Sequence, residues 1–362
     1  MTAAGSAWDT GAVMLVADAV SPPVQLHTLL SGWQTDWLNF VSLAIEAAVA
    51  IGYLVFARRL AARGRRWSPW RTTSFVAGIV TIVIAVQSGL ASYDDSVFSI
   101  HVIQHLLLMN VAPILLALGA PVTLLLQAGD RTTQRRVLKV LHNPVVEVVT
   151  NPVFVLVVFS VTMVGYFLTP FYQFSLEHPL LHDVTHLHFL IAGCLYWWLV
   201  VGIDPSRWRL SYPMKLGFLA VDIPIGTLLG LGLTQTNESI APLFHSLSDT
   251  HAGGSVLWIL GEIFTFLAMG IVVIQWMRAD VREAARADRR ADAATARAVA
   301  DLTGATATAT VGGANRATAR GTATDNAERQ LADDSVRRGV TPVRFDGGRL
   351  VVDERVDTPM RD

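Results

Sequence analysis

The chain has 362 residues, of which 52% are hydrophobic and 16% charged, and its mean hydropathy is +0.44. That combination excludes an ordinary water-soluble globular domain. A formal net charge of −1 gives no argument for a nucleic-acid partner, and the single cysteine, Cys194, excludes an internal disulfide and any CxxC metal or redox motif. Cys194 lies in an apolar run and reads as a buried, inert thiol.

Residues 1–36 lack the basic start and continuous apolar core of a signal peptide, and Trp33 and Trp37 suit a membrane interface. They are expected to form an outer N-terminal segment. A bilayer core needs about 20 apolar residues in a helix. Such runs occur near 38–57, 72–91, 101–127, 151–169, 182–202, 215–234 and 254–277. The connections after the first, third and fifth runs carry Arg58, Arg59, Arg63, Arg65, Arg66 and Arg71, then Arg131, Arg135, Arg136 and Lys139, then Arg207 to Lys215. The alternate connections, 92–100, 170–181 and 235–253, contain no Lys or Arg. Positive residues mark the cytoplasmic side. The expected fold is therefore all-α: a polytopic membrane helix bundle of about seven transmembrane helices over 37–277, N-terminus outside and C-terminus cytoplasmic, in the cell membrane. Residues 278–362 are expected to be a cytoplasmic, mostly disordered tail. Within it, 278–302 has helical propensity, 303–330 is a simple Thr/Ala/Gly stretch, and 340–356 alternates like a hairpin around Asp346-Gly347-Gly348.

On this topology nine of the ten histidines fall on the outer side, and only His142 is cytoplasmic. His101-Val-Ile-Gln-His105 opens the third run and His182-Asp-Val-Thr-His186 opens the fifth. Each is an i,i+4 pair, which projects from one helical face with roughly 6 Å between the two side-chain origins. Such a pair is a ready-made metal clamp. If the third and fifth spans are neighbours, four imidazoles converge, and Met109 continues the stripe below His105. A mixture of imidazole and thioether suits copper better than magnesium or calcium. The competing reading is that interfacial imidazoles merely anchor helices. Outer carboxylates nearby (Asp94, Asp95, Asp183, Asp249) favour a metal. His188 should point to another face, as a structural contact, a supporting group or a third ligand. His27, His178, His245 and His251 are expected to be solvated loop histidines. Glu46, Gln87, Asp222 and Glu262 are polar positions inside spans, where carboxylates are costly enough to count as functional candidates. Glu262 can face the histidines from below, and either Asp222 or Glu262 can relay protons or balance a cation. Pro113, Pro121 and Gly119 predict a kinked third span.

Taken together, the motifs resemble the multi-span CtaG family of cytochrome c oxidase assembly factors. The resemblance rests on His101-x3-His105-Leu-Leu-Leu, Ala112-Pro113, Leu118-Gly119-Ala120-Pro121-Val122-Thr123, His182-x3-His186-x-His188-Phe189, Trp197-Trp198, Asp204-Pro205, Asp222-Ile-Pro224, Ala252-Gly253-Gly254, Trp258 and Gly261-Glu262. It covers about 37–277. It implies a non-enzymatic protein that matures a haem-copper oxidase by handling copper at the outer face. The implied partners are an oxidase subunit, the lipid bilayer and an extracytoplasmic copper donor, and the matching histidines are His101, His105, His182 and His186. Two other classes compete: a membrane redox enzyme with a histidine-ligated metal centre, and a copper transporter using Asp222 or Glu262 further along its path.

Overall fold

A computed structural model of the chain describes residues 27–28, 32–311, 329–330, 343–346 and 349–352. Most of the expected N-terminal segment lies outside them. The described membrane unit is all helical, running through α1 (Trp37–Ala62) and α2 (Pro69–Gln87) to a 3-10 turn at Ala91–Tyr93. The third crossing is assembled from α3 (Phe98–Leu106), a π-helical turn (Leu107–Val111), α4 (Ala112–Leu118) and α5 (Pro121–Ala128). Short helices α6 (Arg131–Leu141) and α7 (Pro144–Val149) lead to α8 (Pro152–Phe167), α9 (Phe171–Leu176), α10 (Pro179–Val201), α11 (Tyr212–Gln235) and α12 (Leu247–Val311).

Among the described residues, six stretches are long and apolar enough to cross a bilayer: 37–62, 69–93, 98–128, 179–201, 212–235 and 247–300. The seventh expected span, 151–169, is the shorter helix α8, only 16 residues long. At 1.5 Å per residue that is about 24 Å, less than a hydrocarbon core of about 30 Å. Its limits are local. Asn151 caps its start, the Oδ1 accepting from the backbone N–H groups of Val153 (2.9 Å) and Phe154 (3.3 Å), and Pro170 follows its end and opens the turn into α9.

The third crossing shows how sequence breaks become structure. Pro113 has no N–H to give to the carbonyl of Met109, four residues back, and a widened turn opens there. The Met109 carbonyl accepts instead from the indole Nε1 of Trp197 on α10 at 3.1 Å. Helix α10 comes this close because residue 193 is glycine: a Cβ there would stand 2.3 Å from the Met109 carbonyl oxygen. A second break falls at Ala120, whose φ of 50° is left-handed, just before Pro121 opens α5. Asp204 caps α5 from the α10–α11 connection. Its Oδ1 accepts from the Thr123 backbone N–H (2.7 Å) and hydroxyl (2.5 Å), and its Oδ2 from the Val122 N–H (3.1 Å). The Tyr53 hydroxyl donates to the Gly119 carbonyl at 2.8 Å and so ties α1 to the same break.

The basic connections gather at this end. Arg65 Nη2 donates to Gln127 Oε1 at 3.3 Å, and Arg207 pairs with Glu147 at 3.0 Å. Lys215 Nζ donates to the Val201 carbonyl at the end of α10, at 3.3 Å. The core between α3, α8, α10, α11 and α12 is aromatic and apolar, with Phe98, Phe159, Phe167, Tyr172, Phe189, Tyr196 and Trp197 all buried.

In the C-terminal unit, 279–362, helix α12 continues to Val311, through the whole stretch 278–302 to which composition gave helical propensity. β1 (Val343–Asp346) pairs antiparallel with β2 (Arg349–Val352), Asp346 opposite Arg349, while Gly347 and Gly348, the expected turn, lie outside the described residues. Residues 312–328, 331–342 and 353–362 lie outside the described residues.

Candidate metal centre

Helices α3 and α10 begin at the same end of the bundle, and each carries one of the two histidine pairs in its opening turns. The four rings converge: centroids are 4.2 Å apart for His101 and His105, 4.7 Å for His182 and His186, 5.3 Å for His101 and His182, and 5.3 Å for His105 and His186. All four are buried, His101 completely. Apolar and aromatic partners hold them there. Phe189 packs edge-on against His105 with centroids at 4.0 Å, and Tyr172 edge-on against His101 at 4.9 Å.

At the centre stands Asp94, on the segment between α2 and α3. Its Oδ1 lies 2.6 Å from His101 Nδ1, and its Oδ2 lies 3.3 Å from His186 Nε2 and 3.7 Å from His182 Nδ1. The contact to His186 is an electrostatic approach without hydrogen-bond geometry. Burial opposes ionisation of Asp94, but the imidazoles of His186, His101 and His182 outweigh it and hold the carboxyl below the ordinary carboxylate range. The short contact to the Asp94 carboxylate calls for an N–H at His101 Nδ1 and turns Nε2 into the cluster, the arrangement by which a carboxylate orients a metal-binding histidine.

The cluster is short of hydrogen-bond partners. His101 Nε2, both nitrogens of His105, His182 Nε2 and His186 Nε2 are buried without a hydrogen-bond partner, a costly state for polar atoms in an apolar surround. Two ligand sets meet there, His101/His105/His182 and Asp94/His182/His186, with the candidate ligand atoms of each set within 4.8 Å of one another. Imidazole nitrogens with one carboxylate fit a first-row transition metal such as copper, and their unsatisfied lone pairs are what such an ion would take up.

The other sequence candidates separate clearly. His188 faces away, and its Nε2 meets the Thr162 hydroxyl on α8 at 2.8 Å, the structural contact expected of it. Met109 is buried among apolar side chains in the π-turn, and its carbonyl makes the contact to Trp197. It lies in the widened turn, four residues beyond His105. Glu262 and Asp222 line a cavity of about 30 Å³ together with Leu106 and Asn110, so Glu262 does lie beside the turn below His105. Glu262 Oε1 accepts from Thr227 at 2.7 Å and Asp222 Oδ2 from Thr265 at 3.3 Å, each carboxylate held by a threonine of the facing helix.

His245 corrects an expectation. It is buried, 1% exposed, not a solvated loop residue. Its Nε2 meets the Tyr172 hydroxyl at 2.6 Å, and burial, with repulsion from His101, pushes its imidazole down to about 4. His251 is also partly buried, its Nε2 meeting the Thr236 carbonyl at 2.9 Å, whereas His178 and His27 are exposed. Asp249, expected only as a nearby carboxylate, caps α3, its two oxygens accepting from the N–H groups of Phe98 (2.5 Å) and Ser99 (3.2 Å). A short polar side chain followed by helix is the one local signal that could have suggested a cap. Nothing in the spacing of Asp249 reveals that the helix it caps starts 151 residues earlier.

A profile of the cytochrome c oxidase caa3 assembly factor family (Caa3_CtaG) matches residues 51–279, which include all four histidines, Asp94 and Asp204. An uncharacterized protein of Mycobacterium bovis is 30% identical over 310 residues, covering 81% of this chain and 46% of the relative. One from Mycobacterium leprae is 29% identical over 308 residues, covering 80% and 46%. The chain thus spans about half the length of the curated relatives it matches. No solved structure matches. The chain belongs to the cytochrome c oxidase caa3 assembly factor family.

Proposed function

We propose that this multi-pass membrane protein binds copper through His101, His105, His182 and His186, with Asp94, and passes it to a haem-copper oxidase subunit during assembly. One observation carries the reading: five buried imidazole nitrogens without a partner gather about the Asp94 carboxylate, which the cluster holds ionised. The family supplies the oxidase. The basic connections at the opposite end of the bundle support a reading in which the cluster faces the outer side, where an extracytoplasmic copper donor would reach it. Copper here is cargo, and the role is non-enzymatic: Asp94 orients His101, the aromatic shell limits water, and the rigid helix starts hold the ligand atoms together.

Transport is the weaker reading. It draws on the Asp222–Glu262 cavity, but carboxylates and threonines there offer hard oxygen ligands where a copper path would favour soft or nitrogen donors. The test is metal analysis of purified wild type beside the His101→Ala/His105→Ala variant, with oxidase activity measured in cells producing each. Copper should be retained by the wild type and fall to background in the variant, with oxidase activity reduced. Full copper occupancy in the variant removes the site; lost copper with unchanged oxidase activity removes the assembly role.

A further inference from the structure

Buried polar atoms without partners also gather between α1 and α2. Glu46 is 7% exposed and Gln87 3%. Glu46 Oε1 accepts from the Ser42 hydroxyl at 3.0 Å and from Gln87 Nε2 at 3.2 Å. The remaining atoms, Glu46 Oε2 and Gln87 Oε1, are both buried and have no donor. Both are acceptors. No ion pair to Glu46 forms among the described residues.

An ionised Glu46 would therefore be a charge at membrane depth with one oxygen unsolvated, an expensive arrangement. The titratable groups on neighbouring elements offer no relief. Asp36 heads α1, Tyr93, Asp94 and Asp95 follow α2, and His101 and His105 on α3 are turned toward Asp94 and the cluster. A proton on Oε2 would remove the charge and turn a surplus acceptor into the missing donor. We infer that Glu46, braced by Ser42 and Gln87, is a proton-binding site inside the membrane domain, distinct from the histidine cluster.

Polar contacts run from Gln87 toward the surface. The Gln87 carbonyl accepts from the Gln34 N–H at 3.0 Å, Gln34 Nε2 reaches the Ser92 hydroxyl at 3.4 Å, and Ser92 is exposed and donates to the Gly32 carbonyl at 3.1 Å. These polar groups lead from the buried acid to the surface at the end of the bundle that holds Asp94. The proton comes from water and returns to it, with only the O–H bond at Glu46 formed and broken.

The probe is N,N′-dicyclohexylcarbodiimide, an apolar reagent that adds to a protonated carboxyl group. The acid's proton passes to a carbodiimide nitrogen, the carboxylate oxygen bonds to the central carbon, and rearrangement leaves a stable acylurea. Full-length protein in membranes is labelled across a pH series and the adducts are located by peptide mass spectrometry. Glu46 should be modified, with labelling falling as pH rises, and Glu46→Gln should lose that adduct. Gln87→Leu removes a donor to the ionised form, so its labelling profile should shift to higher pH. An unmodified Glu46 overturns the inference, as does labelling that is independent of pH. Suppression by sodium or potassium at fixed pH also overturns it, by assigning the place to a metal cation.

Discussion

Two buried aspartates, one at each end of the bundle, show what separates structure from site. Asp204, at the basic end, is 3% exposed and receives three donors from Val122 and Thr123. Burial still raises its carboxyl above the ordinary value. Asp94, at the histidine end, is 6% exposed and faces three imidazoles, and it is pushed the other way. Neutral N–H and O–H donors soften the cost of a buried carboxylate, whereas groups able to carry charge reverse it. The Asp204 network is saturated and finishes a helix. The Asp94 network leaves nitrogen lone pairs over, and unspent valence of that kind is where an ion can bind.

Acid should break this symmetry first and most. His245 is held at about 4 against an ordinary value of about 6.5, so an unfolded chain binds more protons between those values. The stability from keeping His245 neutral is fully present above about 6.5 and is lost as pH falls toward 4. That amounts to about 3 kcal/mol at about 1.36 kcal/mol per unit. Below that, protonation of Asp94 removes a further share. Asp204, with its value raised, has the opposite sign and loses nothing in acid. Thermal unfolding of purified protein between pH 7 and 4 should show a falling Tm, and His245→Gln should flatten the upper part of the profile. An unchanged profile would mean that His245 is not held neutral by the fold.

The next effect concerns ligand binding. Asp94→Asn should weaken copper affinity roughly 10- to 100-fold, the usual loss when a carboxylate supporting metal-bound histidine is removed. Competition titration with a chromogenic chelator measures it. Asp204→Asn, in the same assay, should leave affinity unchanged. Equal losses in both variants would erase the distinction between the two ends.

The smallest effect is on stability alone. Asp204→Ala removes the cap of α5 and should cost about 1–2 kcal/mol, a shift of several degrees in Tm for a domain of this size, with copper retained. A variant that keeps its Tm would show that the break at Ala120–Pro121 is held by other contacts, the Tyr53 hydroxyl first among them.

Much of this was legible in the chain itself. Apolar runs located the six long crossings, the basic connections gathered where the alternation put them, and the spacing of 101/105 and 182/186 gave both histidine pairs. The structure confirms that these pairs come together. Pro113 and Pro121 marked the breaks in the third crossing. What spacing could not supply were contacts between distant segments. Asp94 stands seven residues before His101 but is fixed by histidines nearly ninety residues later, and the burial of His245 depends on Tyr172, 73 positions away. The length of α8 was overestimated because hydropathy does not sense the Asn151 cap or the turn at Pro170. The widened turn that contains Met109 was also invisible, because helical counting assumes a uniform turn.

That widened turn also settles how one span can serve two masters. A continuous α-helix has a single angular phase, so aiming His101 and His105 into the histidine cluster would dictate which side chains met α2 and α10 all the way down. The π-turn at Leu107–Val111 is a phase offset. Above it, the helix is indexed to the histidine cluster; below it, α4 is re-indexed to its neighbours, with Gly193 and Trp197 latching the joint.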